Sequence, residues 1–140
     1  LRQIFDSFAG DDNSEYILRH ADFDSICKTR RENYAALLDA LTAPLHGVQV
    51  VFPELPEATV PSHFCLYAER RDEFQAFLAE RQIRSTVYWP VGPMVHPEGH
   101  PSVTYIYDHI VSVPCDQRYQ PSDMQRVAEA FAAYSENFGR

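Results

Sequence analysis

The chain is organised around the stretch Arg84–His96, RSTVYWPVGPMVH. Its first half is rich in β-branched and aromatic residues, which favours a β-strand. Two prolines and a glycine then end any regular structure and predict an irregular loop. A strand that opens into a loop is a common way of presenting side chains to a ligand, here Tyr88, Trp89 and His96. The alternative is that Tyr88 and Trp89 close a core and that His96 is solvated.

The segment before this stretch predicts a strand followed by a helix. Residues Ser62–Ala68, SHFCLYA, alternate so that Phe64, Leu66 and Ala68 share one face of a strand. A helix is expected to begin at Arg71, because an acidic first turn precedes apolar residues at helical spacing. With the strand expected at 84–88, the short links indicate a βαβ-like unit.

Other candidates for chemistry lie around this unit. His63 and Cys65 share a strand face and suggest a Cys–His nucleophile pair, but no orienting Asn or Asp is visible, which disfavours it. His96 and His100 are four apart, but a proline and a glycine between them forbid the helix that would place both on one face. We therefore expect no catalytic residue from His63 and Cys65, and no metal site at His96 and His100.

The remaining periodicities complete an α+β pattern. A long helix is expected from about Asp22 until Pro44 ends it, and a final helix from Pro121. Short strands are expected at 48–52 and 110–115, with a helical turn at 103–110. We predict a small, mostly antiparallel sheet with helices packed on one face, formed by residues 22–140, and a loosely ordered N-terminal segment at 1–21.

Composition excludes several classes of function. The chain has 140 residues, 45% of them hydrophobic, and a formal net charge of -8. This acidic balance argues against nucleic-acid and anionic-membrane surfaces. No apolar run approaches the roughly 20 residues that span a bilayer. The three cysteines, an odd number at wide spacings, suit a reducing cytoplasm. The start lacks a signal peptide and an initiator Met, so a processed or excised fragment is expected.

Four segments, in this order, resemble the DegT/DnrJ/StrS-type aminotransferases, which are pyridoxal-phosphate-dependent sugar aminotransferases of fold type I. Asp24–Leu38 resembles the family's "Arg-Arg … Tyr … Leu-Leu" helix, and Arg71–Ile83 its "Arg-Asp-…-Leu-…-Arg-Gly-Ile" helix. Tyr88–His96 resembles its "His-Tyr-Pro-x-Pro-Leu-His" loop. Ser112–Met124 resembles its closing "Ser-Leu-Pro" strand and acidic helix start. The resemblance covers about residues 22 to 135, which corresponds to the C-terminal small domain.

The resemblance implies a site that is shared with another domain. Tyr88 stands at the first His of the family loop, Trp89 at the Tyr and His96 near the second His, and these positions imply contact with substrate. In the family, the lysine that holds pyridoxal phosphate belongs to a large N-terminal domain. The only lysine here, Lys28, matches no Schiff-base motif. We therefore expect this fragment alone to bind no cofactor and to be inactive.

The resemblance also implies partners and alternatives. The intact enzyme would bind pyridoxal phosphate, act on a keto (nucleotide-)sugar, contain the large domain and form a cytoplasmic homodimer. An uncovered apolar face is expected where that domain is missing, including Phe5, Phe8, Tyr88, Trp89 and Tyr105. The alternatives are a stand-alone, non-catalytic α+β binding or interaction module, and a divergent member that acts on something other than a sugar. Some family members replace the lysine and catalyse dehydration, and that branch stays open.

Overall fold

The computed structural model describes residues 10–88, 92, 94, 96 and 99–138. The helices of this part are α1 (Asp12–His20), α2 (Phe23–Ala40), α3 (Arg71–Glu80), α4 (Pro101–His109) and α5 (Pro121–Asn137). Its strands are β1 (Val48–Val50), β2 (His63–Ala68) and β3 (Ile110–Pro114).

The three strands form one antiparallel sheet in the order β1-β2-β3. Val50 of β1 pairs with Leu66 of β2, and Phe64 of β2 pairs with Val113 of β3. The central strand is therefore β2, and each strand lies beside its neighbour in the chain. The predicted α+β class with a small antiparallel sheet is confirmed.

The alternation of β2 decides which face of the sheet is covered. Phe64, Leu66 and Ala68 are fully buried, as their spacing predicts. Helices α2, α3 and α5 pack on this face, where the ring of Tyr34 lies 4.8 Å from that of Phe64. On the opposite face, Tyr67 meets α4 through an edge contact with Tyr105. That opposite face otherwise carries the half-buried side chains of β2.

Local capping chemistry explains where the main helices begin. The Asp22 carboxylate accepts from the backbone N–H of Ser25 at 2.9 Å and caps α2. At α5, Asp123 accepts from the backbone N–H of Gln120 in a capping box, and Pro121 occupies the first helical turn. Both starts agree with the sequence prediction.

Residues 84–88 do not form the predicted strand. Only Thr86 pairs with β3, through two hydrogen bonds with Ser112 at 2.8 and 2.9 Å. The segment follows the outer edge of β3 in the antiparallel sense. Because β3 is itself antiparallel to β2, the segment runs parallel to β2, as in a βαβ-like unit, but it forms a single bridge instead of a strand. The β-branched and aromatic composition measures how well a residue fits a pleated surface, and it does not ensure a continuous ladder.

Helix α1 replaces the turn that the polar cluster at 10–14 predicts. Asp11 accepts from the backbone N–H groups of Asn13 and Ser14 at 3.0 Å each, so the cluster is a helix cap. The helix has no buried residue. The predicted apolar turn at 4–8 lies outside the described residues.

Two buried groups make the stability of the fold sensitive to alkali. Burial raises the pKa of the Cys115 thiol to about 12 and that of the Tyr34 hydroxyl to about 12. The unfolded chain releases these protons from about pH 9 and pH 10 upward, whereas the folded chain retains them. The titration of these two groups should therefore not change the free energy of unfolding below about pH 9. Above it, each group should lower the free energy by at most about 1.4 kcal/mol per pH unit until its folded pKa is reached.

Urea unfolding between pH 7 and pH 11 measures this effect. The C115A variant removes one thiol that titrates in the unfolded chain from about pH 9 and keeps the Cys65 thiol, whose pKa burial also raises, so its loss of stability between pH 9 and pH 11 should be smaller. An identical pH dependence in C115A would contradict the assignment to Cys115.

Candidate functional site

Within the stretch 84–96, the ring of Tyr88 contacts a second aromatic ring, that of His63. Tyr88 is 48% exposed. Its hydroxyl lies 2.9 Å from Nε2 of His63, the first residue of β2. The two rings also meet edge to face, with centroids 5.0 Å apart and planes at 81°. Tyr88 is thus attached to the central strand of the sheet, across 25 residues of sequence.

A second hydroxyl holds the other side of the His63 ring. Ser62 Oγ lies 2.9 Å from Nδ1, so Ser62, His63 and Tyr88 form a continuous hydrogen-bonded line. The ring is half-buried, and burial is the main cause that lowers the pKa of His63, partly offset by Asp116. The imidazole is therefore mostly neutral at pH 7. A neutral imidazole has one donor and one acceptor nitrogen, so it donates to one hydroxyl and accepts from the other.

The structure describes two of the three residues that the sequence predicts to face a substrate. Tyr88 lies at the exposed edge and contacts His63. His96 is exposed. Trp89 lies outside the described residues. The facing of these side chains toward a substrate stays a prediction.

Sequence reasoning missed the role of His63 because it paired this residue with Cys65. Both side chains do lie on the half-buried face of β2. However, burial raises the pKa of the Cys65 thiol, which keeps it protonated and unreactive. The available signal was the strand alternation, which places His63 on the face away from the core.

His63 also lines an apolar cavity of about 340 Å³. Its wall is held by polar contacts: the Tyr34 hydroxyl donates to the Phe52 carbonyl at 2.7 Å, and Arg31 donates to the Pro56 carbonyl at 3.0 Å. The lining residues are Tyr34, Phe52, Glu54, Leu55, Pro56, Thr59, Pro61, His63 and Cys65. The cavity is near the lower limit of the size of small-molecule pockets. His63 therefore lines this cavity and also contacts Tyr88.

The turn after β3 places a fixed negative charge near His63. The Asp116 carboxylate accepts from Arg118 Nε at 2.9 Å and from its backbone N–H at 3.0 Å. The hydrogen bonds and charge of Arg118 hold the pKa of Asp116 at about 2, so it stays ionised. The buried Asn33 amide fixes the same turn by donating to the carbonyls of Asp116 and Tyr119, each at 3.0 Å.

Within the residues that the structure describes, no three His, Cys, Asp or Glu side chains come together in a way that would hold a metal ion. No helix among those residues has the length and apolar character needed to cross a membrane.

These features define a small α+β domain with an antiparallel sheet. No family model matches the sequence, and no curated protein matches it. Nine solved chains do match its fold. DesV from S. venezuelae, solved with a ketimine intermediate, is 26% identical with a TM-score of 0.73, over 85% of this chain and 34% of that one.

Two further structures show the same fold at lower identity. The putative sugar aminotransferase Spr1654 from Streptococcus pneumoniae, solved in PLP and PMP forms, is 14% identical with a TM-score of 0.67 over 82% of this chain and 32% of that one. A DegT DnrJ EryC1 StrS aminotransferase from Brucella abortus is 21% identical with a TM-score of 0.56, over 91% of this chain and 34% of that one.

The resemblance to DegT/DnrJ/StrS-type sugar aminotransferases is thereby confirmed at the level of the fold. The chain spans about a third of the length of each of these structures. That proportion is consistent with the C-terminal fragment that the motifs indicate.

Proposed function

We propose that the chain is the C-terminal domain of a pyridoxal-phosphate-dependent aminotransferase that acts on a keto (nucleotide-)sugar. The catalytic lysine would lie in a large N-terminal domain outside this sequence, and the intact enzyme would be a cytoplasmic homodimer. The observation that carries the proposal is the fold match to DesV, which covers 85% of this chain but only 34% of that structure.

The described residues do not themselves fit pyridoxal phosphate. A Schiff base needs a lysine in a protected site, whereas the single lysine of the sequence, Lys28, has a side chain that is 75% exposed. Its ammonium group lies 3.8 Å from Glu32 on the same helix, an ordinary surface ion pair. No step of cofactor chemistry is therefore assigned to this chain.

The contribution proposed for this chain is one wall of the substrate site. Tyr88 would hydrogen-bond through its hydroxyl, Trp89 would stack on a sugar or base, and His96 would add a polar contact. The exposure of Tyr88 and of Tyr105, at 48% and 42%, supports an uncovered surface that the large domain would meet. Phe5, Phe8 and Trp89, expected on the same surface, lie outside the described residues.

Reaction of the chain with pyridoxal phosphate should produce no specific Schiff base. Because Lys28 is exposed and lies in no pocket, its adduct should be weak and lost on dilution. Absorbance in the Schiff-base band, followed by borohydride reduction and peptide mapping, measures this, with K28A as the control. A stable band that disappears in K28A would contradict the placement of the chemistry outside this chain.

The coding sequence on either side of the chain tests whether the complete protein contains the proposed large domain. An upstream domain with a Schiff-base lysine, and transamination of a keto sugar by the complete protein with glutamate as amino donor, would support it. A complete protein that lacks such a domain would favour the stand-alone, non-catalytic binding module instead.

A further inference from the structure

The backbone gives Tyr88 little support. Within the described segment 84–88, only Thr86 pairs with the sheet, and Tyr88 lies two residues beyond it. A side chain two residues beyond the sheet pairing is not oriented by the ladder and can adopt several rotamers unless other contacts hold it. Among the described residues, His63 contacts Tyr88 through the 2.9 Å hydrogen bond and the edge-to-face ring contact.

His63 is much better fixed than Tyr88. It lies on the central strand, where its backbone pairs with Pro114 of β3. Its ring is half-buried, and Ser62 occupies the nitrogen that does not face Tyr88. The restraint therefore runs from the sheet, through His63, to the Tyr88 hydroxyl.

The hydrogen-bonded line also determines what the Tyr88 hydroxyl offers to a ligand. If His63 Nε2 carries the proton, it donates to the Tyr88 oxygen, and the phenolic hydrogen is available to a carbonyl or hydroxyl oxygen. If Nδ1 carries the proton and donates to Ser62, Tyr88 donates to Nε2 and offers only lone pairs. Sugars and keto sugars present both kinds of partner.

We propose that His63 is a positioning residue that holds the Tyr88 hydroxyl in one orientation at the exposed sheet edge, and that Ser62 selects the nitrogen with which His63 meets it. The ligand class that this pair fits is a hydroxyl or carbonyl group of a carbohydrate. That ligand assignment rests on the proposed function, whereas the coupling between the two rings does not.

Nuclear magnetic resonance of the 140-residue chain with labelled tyrosine and histidine rings tests the coupling. In H63A, the Tyr88 ring signals should shift and its ring order should fall. In H63Q, whose amide also donates and accepts, they should be partly restored. The buried ring of Tyr134, which packs against Phe74 and does not line the cavity beside His63, reports whether each variant is folded.

A matched control is available on α1, where His20 stacks on Tyr16 with ring centroids 4.0 Å apart. H20A removes the same type of residue beside a tyrosine and should leave the Tyr88 signals unchanged. The reciprocal variant Y88F removes one oxygen and should shift the ¹⁵N signal of His63 Nε2. Unchanged Tyr88 signals in H63A, or an unchanged His63 signal in Y88F, would overturn the proposal.

Measurements of KM on variants of the complete enzyme distinguish a failure of this inference from a failure of the proposed function. Y88F and H63A should both raise KM for the sugar substrate by a similar factor, and H63Q should recover part of the loss. Ring coupling in the isolated chain together with an unchanged KM in Y88F would reject the ligand assignment alone. A raised KM in Y88F with no effect of H63A would reject the positioning role of His63 alone.

Discussion

Replacement of Asn33 by aspartate should destabilise the folded chain by about 3–5 kcal/mol at pH 7. Asn33 is fully buried on α2. Its side-chain amide donates to three carbonyl oxygens, those of Cys115 at 3.4 Å and of Asp116 and Tyr119 at 3.0 Å. A carboxylate in this position would face three acceptors without a donor, and its charge would be buried without a partner.

Urea unfolding of N33D at several pH values measures the loss. Burial should raise the pKa of the introduced carboxyl above its unfolded value near 4, so the loss should grow as the pH rises above about 4. The matched control is N137D, since the Asn137 amide also donates to a backbone carbonyl, that of Ala133 at 2.7 Å, but is exposed. That variant should cost less than about 1 kcal/mol. Equal losses in N33D and N137D would refute the role assigned to Asn33.

The second large loss of stability is expected when Gly47, which precedes β1, is replaced by alanine. Its φ of +73° lies in the left-handed region, and an added Cβ would lie 2.3 Å from Cε2 of Phe138. Its carbonyl also accepts from the N–H of Glu69 at 2.9 Å, which ties the backbone to the end of β2. G47A should therefore cost about 2–4 kcal/mol, the sum of a left-handed alanine and an overpacked contact.

Two variants separate these causes in the same unfolding measurement. Gly99 also has a positive φ, of +87°, but an added Cβ there meets nothing within 4 Å. G99A should show only the conformational cost of about 1–2 kcal/mol. In an F138A background, G47A should cost no more than G99A does. If G47A and G99A are equally destabilising in the natural background, the contact between Phe138 and the added methyl group does not contribute to the loss of stability.

Features whose cause is local were predictable from the sequence. The alternation in Ser62–Ala68 places Phe64 and Leu66 in the core, because successive residues of a strand point to opposite faces. The start of α2 follows from Asp22, whose carboxylate is close enough in sequence to cap the first turn. The start of α5 at Pro121 has a similar local cause.

Features that depend on distant partners were not predictable in this way. Residues 84–88 have strand composition, but the number of ladder bonds depends on how the segment meets β3. The contact between Tyr88 and His63 joins side chains 25 positions apart, and no spacing rule connects them. Asn33 lies in a helix that reads as amphipathic, and only the folded turn at 115–119 shows why a buried amide is needed there.

The sheet order β1-β2-β3 has a consequence for how such a domain diversifies. The chain leaves β2 through α3, reaches the outer edge of β3 at Thr86 and returns to β3 through α4. Among the described residues of the segment that carries Tyr88 and His96, only Thr86 pairs its backbone with the ladder. Loop-closure cost grows by only about 0.6 kcal/mol for each doubling of loop length. Insertions between α3 and α4 should therefore cost the fold little stability, so this segment can change in length and sequence while the core around Phe64 and Leu66 is retained.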